Sequence, residues 1–196
     1  QHPEEPSLAS GAMNEGETAT RLGLAGIPAA AEAIMVERDL RLVELTGGRY
    51  HAAHISTAMA IEAIRQAKAR GLRVSCDTAP QYFTLTEADV GDYRTFAKVS
   101  PPLRTESDRD AVAAAVADGT IDAVASDHSP HDQESKRQPF AIADPGMAGL
   151  ETLLPLTLAL VHKKQMSLLD AVARLSTRPA EILRLNAGRL VKGAPA

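Results

Sequence analysis

Three short segments each carry a side chain able to hold a metal at the expected carboxyl end of a strand, followed by a polar loop. They are His2 in Gln1-His2-Pro3-Glu4-Glu5, His54 in His51-Ala52-Ala53-His54-Ile55-Ser56-Thr57, and Asp127 in Ser126-Asp127-His128-Ser129-Pro130-His131. Imidazole nitrogens and carboxylate oxygens suit Zn²⁺, and a site that keeps one coordination position for water is a catalytic one. The third segment is the densest, because Asp127, His128 and His131 are costly behind an apolar run unless partnered. Each segment also has an ordinary reading. A lone histidine such as His54 is more often a satisfied buried residue than a ligand. His2 stands next to the first residue, and the third segment is also a polar turn shaped by Pro130. Strand alternation sets His51 on the face opposite His54, and His51 and the lone His162 are read as structural.

Elements must bring these residues together. From Ile27 to about Leu45 the pattern is helical, with Pro28 at the tolerant first turn and Gly47-Gly48 as the stop. Arg49 to Ile55 reads as a strand delivering His54. Ser56-Thr57 then cap a helix whose inner face is Ala60, Ile61, Ile64 and Ala67, ended at Gly71. Leu72 to Cys76 is a second strand and Ser107 to Ala117 a helix. Ile121 to Ser126 is a third strand, apolar enough to be buried on both faces. Helices follow over 151–161, 168–176 and near 179–183, and the tail from Gly188 to Ala196 is loop with room for one short strand. A fourth strand would end at Gln1-His2. Strands and helices alternating over short connections define an α/β fold with a parallel sheet. A closed (β/α)8 TIM barrel takes eight such units and about 250 residues, so residues 1–196 are expected to be one partial barrel domain. In such a barrel the carboxyl ends of the strands share one rim, which would gather all three segments.

Composition narrows the partners. The chain has 196 residues, 21 Lys+Arg against 25 Asp+Glu and a net charge of −4, so nothing electrostatic favours nucleic acid or an anionic membrane. With 44% apolar and 23% charged residues it is globular rather than disordered. Three Phe, three Tyr and no Trp argue against an aromatic platform for single strands. The longest apolar stretch, Thr152 to Val161, is too short to span a bilayer and contains Pro155. The N-terminus carries no secretion signal pattern. A single cysteine, Cys76, excludes an internal disulfide framework and fits a reducing compartment, here the cytoplasm.

Longer runs then occur in one order: His54-Ile55-Ser56-Thr57-Ala58, Cys76-Asp77-Thr78-Ala79-Pro80-Gln81-Tyr82-Phe83, Lys98-Val99-Ser100-Pro101-Pro102-Leu103-Arg104, Ser126 to His131, and Pro145-Gly146-Met147-Ala148-Gly149-Leu150-Glu151-Thr152. Together with Gln1 to Glu5 and the stretch from Asn14 to Pro28 they closely resemble the dihydroorotase family, zinc hydrolases of pyrimidine biosynthesis in the amidohydrolase superfamily. The resemblance implies strands five to eight of the barrel. It implies His2 and His54 as ligands of one zinc, and Asp127 as ligand of a second zinc and as the proton-transfer group. It further implies His131 as a contact for the substrate carboxylate, Pro145-Gly146 as backbone against the ring, and a substrate contact at Ser100. Many relatives carry Asn where Ser100 stands, and the shorter hydroxyl leaves room for a bridging water.

The implied reaction is the reversible hydrolysis of the cyclic amide dihydroorotate to N-carbamoyl-aspartate, with two zinc ions in a complete site. The family's strand-one His-x-His-x-Arg and its strand-four Lys or Asp have no counterpart in these residues. They are expected upstream of Gln1, in roughly 150 or more residues, and the 196 residues alone are expected to be inactive. One alternative is a dihydropyrimidinase or hydantoinase, which opens a similar ring without the carboxylate. The other is a metal-free subunit scaffolding aspartate transcarbamoylase, disfavoured because His2, His54 and Asp127 are all present. The small-molecule substrate is the main expected partner, with homo-oligomers or aspartate transcarbamoylase as protein partners.

Overall fold

The computed structural model describes Gln1 to Pro195. The elements run β1 (Met13–Asn14), α1 (Glu17–Leu22), β2 (Gly26–Ile27), α2 (Ala30–Thr46), β3 (Tyr50–Ala52), α3 (Ala58–Ala69) and β4 (Val74–Thr78). They continue as α4 (Glu106–Asp118), β5 (Ala123–Val124), α5 (Gln133–Lys136), α6 (Leu150–His162), α7 (Leu168–Val172) and α8 (Arg178–Leu183). A π-helical stretch, Ala173–Thr177, joins the last two.

Two parallel sheets result, as expected of an α/β chain. β1 and β2 form one, with Met13 opposite Gly26. The other has the order β3-β4-β5, with Tyr50 opposite Val74 and Asp77 opposite Ala123. Parallel neighbours need a crossover, and the helices supply it. Thr57 caps α3 by accepting the Ala60 N–H at 3.2 Å, and its expected inner face of Ala60, Ile61, Ile64 and Ala67 is buried. That face joins Val36 and Leu40 of α2, Val112 and Val116 of α4, and Cys76 from the sheet in one core. Truncating a fully buried side chain such as Ile64 to Ala would cost about 2–5 kcal/mol.

Several boundaries differ from the sequence reading. The strand ending in His54 stops at Ala52, and the third strand shortens to Ala123–Val124. Helix 168–176 breaks at Val172 into the π-helical stretch. The small sheet of β1 and β2, with α1 between, was not expected from the pattern because two-residue strands carry no periodicity. Gln1-His2 is not an assigned strand, yet the Gln1 carbonyl accepts the Ala53 N–H at 2.9 Å and its nitrogen donates to the His51 carbonyl at 3.1 Å. It therefore lies alongside β3. The tail has no strand among the described residues, and Ala196 lies outside them.

Candidate active site

The carboxyl ends of β3, β4 and β5 converge, and the residues just past them have unusual backbones. His54 has φ 59° and Asp127 φ 45°, both in the left-handed region that non-glycine residues rarely occupy. Strain of this kind costs about 1–3 kcal/mol per residue and gathers at functional sites. The turn at His54 also breaks the strand alternation. His51, set on the opposite face by sequence, instead shares a carboxylate with His54. Its Nε2 lies 2.8 Å from Asp77 Oδ2 and its Nδ1 2.8 Å from Ser75 Oγ. The other oxygen, Asp77 Oδ1, accepts the His54 backbone N–H at 2.8 Å and stands 3.2 Å from His54 Nδ1. That second contact is oblique, so His54 Nδ1 is buried without an aligned hydrogen bond.

The three residues expected as ligands approach one another in pairs. The rings of His2 and His54 meet edge to face with centroids 5.8 Å apart. His54 Nε2 is 3.9 Å from Asp127 Oδ1, too far for a hydrogen bond. Gln81 Nε2 donates to Asp127 Oδ2 at 2.6 Å. His2 Nε2 lies 3.2 Å from the Ser100 carbonyl oxygen. Burial raises the Asp127 carboxyl, against the pull of His54 and the Gln81 amide. Asp77 beside it raises His54, partly offset by burial. Burial also acts to raise Asp77, but hydrogen bonds from His51 and His54 outweigh it and hold that carboxyl far below its usual range. Among the described residues no three His, Cys, Asp or Glu side chains close into a metal cluster. In kind the donors fit zinc; in number they leave a two-metal site incomplete.

The expected substrate residues line the same end. Ser100 Oγ donates to Glu4 Oε2 at 3.0 Å. His131 lies against Gly146, where a Cβ would come 3.1 Å from its ring and 2.4 Å from the Ser129 carbonyl oxygen. With φ at +140° as well, that position requires glycine. The Gly146 N–H donates to the Lys98 carbonyl at 2.8 Å, tying the loop after β5 to the segment that leads to Ser100. His131 Nδ1 stands 3.7 Å from Asp144 Oδ2, a long contact that leaves the ring able to turn to a ligand. His128 has another task. Its Nδ1 accepts the Gly149 and Leu150 N–H groups at 3.1 and 3.2 Å, so it satisfies the start of α6. His162 sits exposed in the last turn of that helix, away from the residues described above.

Against known proteins, the family described as Dihydro-orotase-like matches residues 2–60. A dihydroorotase from Geotalea daltonii is 51% identical over 196 residues, 100% of this chain and 46% of its own length. One from Anaplasma phagocytophilum is 47% identical over 98% of this chain and 44% of its own. Over its length the chain is similar to these dihydroorotases. It spans about half the length of these curated relatives. Among solved structures, the L-hydantoinase (dihydropyrimidinase) of Arthrobacter aurescens superposes with a TM-score of 0.87 at 29% identity, covering 100% of this chain and 46% of that one. The dihydropyrimidinase of Brevibacillus agri NCHU1002 gives 0.86 at 25%, covering 100% and 45%.

The amino-acid pattern alone gives little sign of the groups that support the site. Glu32 is buried and accepts the Ser56 and Thr57 N–H groups at 3.0–3.1 Å, together with both hydroxyls. Arg104 joins it through Ser56 Oγ at 3.2 Å and reaches the Ile27 carbonyl at 2.8 Å. Burial raises Glu32, while Arg104 and the hydroxyls oppose it. A lone Glu in an amphipathic helix gives no pattern. Its only signal is that it falls on the buried face of α2, beside Ala31 and Met35.

Proposed function

We propose that residues 1–196 are the C-terminal portion of a (β/α)8 amidohydrolase barrel, and that the full-length protein is a dihydroorotase. The reading rests on one juxtaposition above all: His2, His54 and Asp127 meet at one sheet end, with His131, Gly146 and Ser100 around them. The exposed Leu154, Leu169 and Val172 support a barrel half that needs covering. His2, His54 and Asp127 would hold zinc, as ligands of a two-metal site. Zinc there supplies a water nucleophile at neutral pH and a Lewis acid for the amide carbonyl.

The chain's own residues supply the rest. Asp127 takes a proton at its carboxylate and returns it to the departing ring nitrogen, a role worth about 10²–10⁴-fold. His131 offers a cationic or hydrogen-bonding partner to the substrate carboxylate. Pro145-Gly146 lets the backbone approach the ring closely, and Ser100 contributes a hydroxyl directly or through water.

About 50% identity to proteins named dihydroorotase, against 25–29% to the hydantoinase structures, favours a carboxylated ring over a bare one. The presence of all three ligand residues favours an enzyme over a metal-free scaffold. Self-association and pairing with aspartate transcarbamoylase rest on the family resemblance. The lone buried Cys76 accords with a cytoplasmic setting, and no described helix is long and apolar enough to cross a membrane. The test is to supply dihydroorotate, dihydrouracil and hydantoin to the purified full-length protein and to measure zinc per chain. Dihydroorotate hydrolysis with about two zinc is expected. Preference for the uncarboxylated rings, or no zinc and no turnover, would overturn the reading.

A further inference from the structure

The strand with no ligand of its own lies between the two that carry them. β4 pairs in parallel with β3, which leads to His54, and with β5, which leads to Asp127. From its end come Asp77 and, through a short 3₁₀ turn over Pro80–Phe83, Gln81. Asp77 meets the residue past one neighbouring strand: its Oδ1 takes the His54 backbone N–H at 2.8 Å and faces Nδ1 at 3.2 Å. Gln81 meets the residue past the other, donating to Asp127 Oδ2 at 2.6 Å. Both are buried. Asp77 is itself held from behind, because His51 Nε2 lies 2.8 Å from Oδ2 and His51 Nδ1 lies 2.8 Å from the Ser75 hydroxyl.

We propose that Asp77 and Gln81 are the positioning residues of the metal site, one for each neighbouring strand. The inference rests on the reading of His54 and Asp127 as zinc ligands. Asp77 Oδ1, 3.2 Å from Nδ1 though off the line of a hydrogen bond, makes Nδ1 the favoured seat of the His54 proton and so presents the Nε2 lone pair on the side of Asp127. Gln81 occupies Oδ2 of Asp127 and leaves Oδ1, the oxygen 3.9 Å from His54 Nε2, for metal and proton. A carboxylate behind a ligating imidazole fixes its tautomer and direction, and losing such a partner costs about 10–100-fold in metal affinity or activity. Mere satisfaction of buried polar groups would not require both partners to come from one segment and to act on opposite neighbours.

The first readout uses the unaltered full-length protein, stripped of metal. Its ¹⁵N-histidine spectrum should show His54 protonated at Nδ1 and bare at Nε2; the reverse tautomer overturns the role of Asp77. The second compares Asp77→Asn and Gln81→Met with the parent, by competition for zinc against a chelator and by steady-state kinetics. Asp77→Asn should weaken zinc binding about 10–100-fold, and Gln81→Met should lower kcat about tenfold with a smaller change in KM. If His54→Ala loses zinc while both variants stay within about threefold of the parent, the inference fails and the ligand reading stands. If His54→Ala keeps its zinc, the ligand reading fails and the inference with it. Should Asp77→Asn not fold, the tautomer and Gln81→Met decide.

Discussion

The imidazoles of His2 and His54 meet at an interplanar angle of 65° although their places in the chain are far apart. Main-chain bonds bring this about, since Gln1 lies along β3 and bonds to His51 and Ala53. Two imidazoles in this relation pack against each other without a hydrogen bond between them.

Removing either imidazole should remove metal as well as rate. In the full-length protein, His54→Ala is expected to retain at most half of the parent zinc after dialysis, roughly a loss of one ion from a two-metal site. His2→Ala should behave alike. Atomic absorption on both variants checks this, and unchanged stoichiometry would exclude them as ligands.

Asp127 carries two duties in the proposed chemistry, so its loss should separate turnover from folding. Asp127→Ala should lower kcat by about 10³-fold or more, with a melting temperature close to that of the parent. Activity within about tenfold of the parent would refute the proton-transfer role.

What the sequence displayed and what it hid divide along physical lines. The inner face of α3 was legible because apolar spacing repeats every turn, and Ala60, Ile61, Ile64 and Ala67 are indeed all buried. His54 and Asp127 were legible as polar residues ending apolar strands. His51 was not, because alternation assumes a continuing strand and the left-handed turn at His54 ends that assumption. Asp77 and Gln81 were visible only as part of a family phrase. Their function depends on which strands flank β4, and strand order is a property of the fold rather than of neighbouring residues. His128 looked like a candidate ligand neighbour but serves the start of a helix that begins at Leu150.

The Glu32–Arg104 network predicts a stability effect remote from the chemistry. Glu32 gathers the Ser56 and Thr57 amides at the start of α3, just after His54, and Arg104 ties Ser56 to Asn14 at 2.9 Å. Glu32→Ala would leave the buried amides and hydroxyls of Ser56 and Thr57 without their acceptor. The expected loss is about 1–3 kcal/mol, as for leaving buried donors without their acceptor. Glu32→Gln keeps an acceptor and should cost less. Urea unfolding of the full-length variants measures both, and a change below about 1 kcal/mol for Glu32→Ala would show the network to be dispensable.

Lys136 links the loops on the substrate side. It is buried and, among the described residues, has no carboxylate in hydrogen-bond contact; its Nζ donates to the Asp144 carbonyl at 2.7 Å, Thr95 at 3.1 Å and Lys98 at 3.5 Å. Its own carbonyl accepts the Thr95 hydroxyl. Burial, with Lys98 near, lowers the ammonium below the usual lysine range. The Lys98 carbonyl that Lys136 approaches is the acceptor of the Gly146 N–H, so the ammonium braces the segment expected to lie against the ring. Lys136→Met keeps the apolar stem and removes only the donors. Leaving buried carbonyls unsatisfied should lower the local opening free energy by about 2 kcal/mol, or roughly 30-fold faster exchange of the Gly146 amide. Amides of α3 should exchange as in the parent, because that helix shares none of these bonds. Hydrogen exchange read by mass spectrometry or NMR makes the comparison. An unchanged Gly146 rate would mean that the loop is held by its backbone bonds alone.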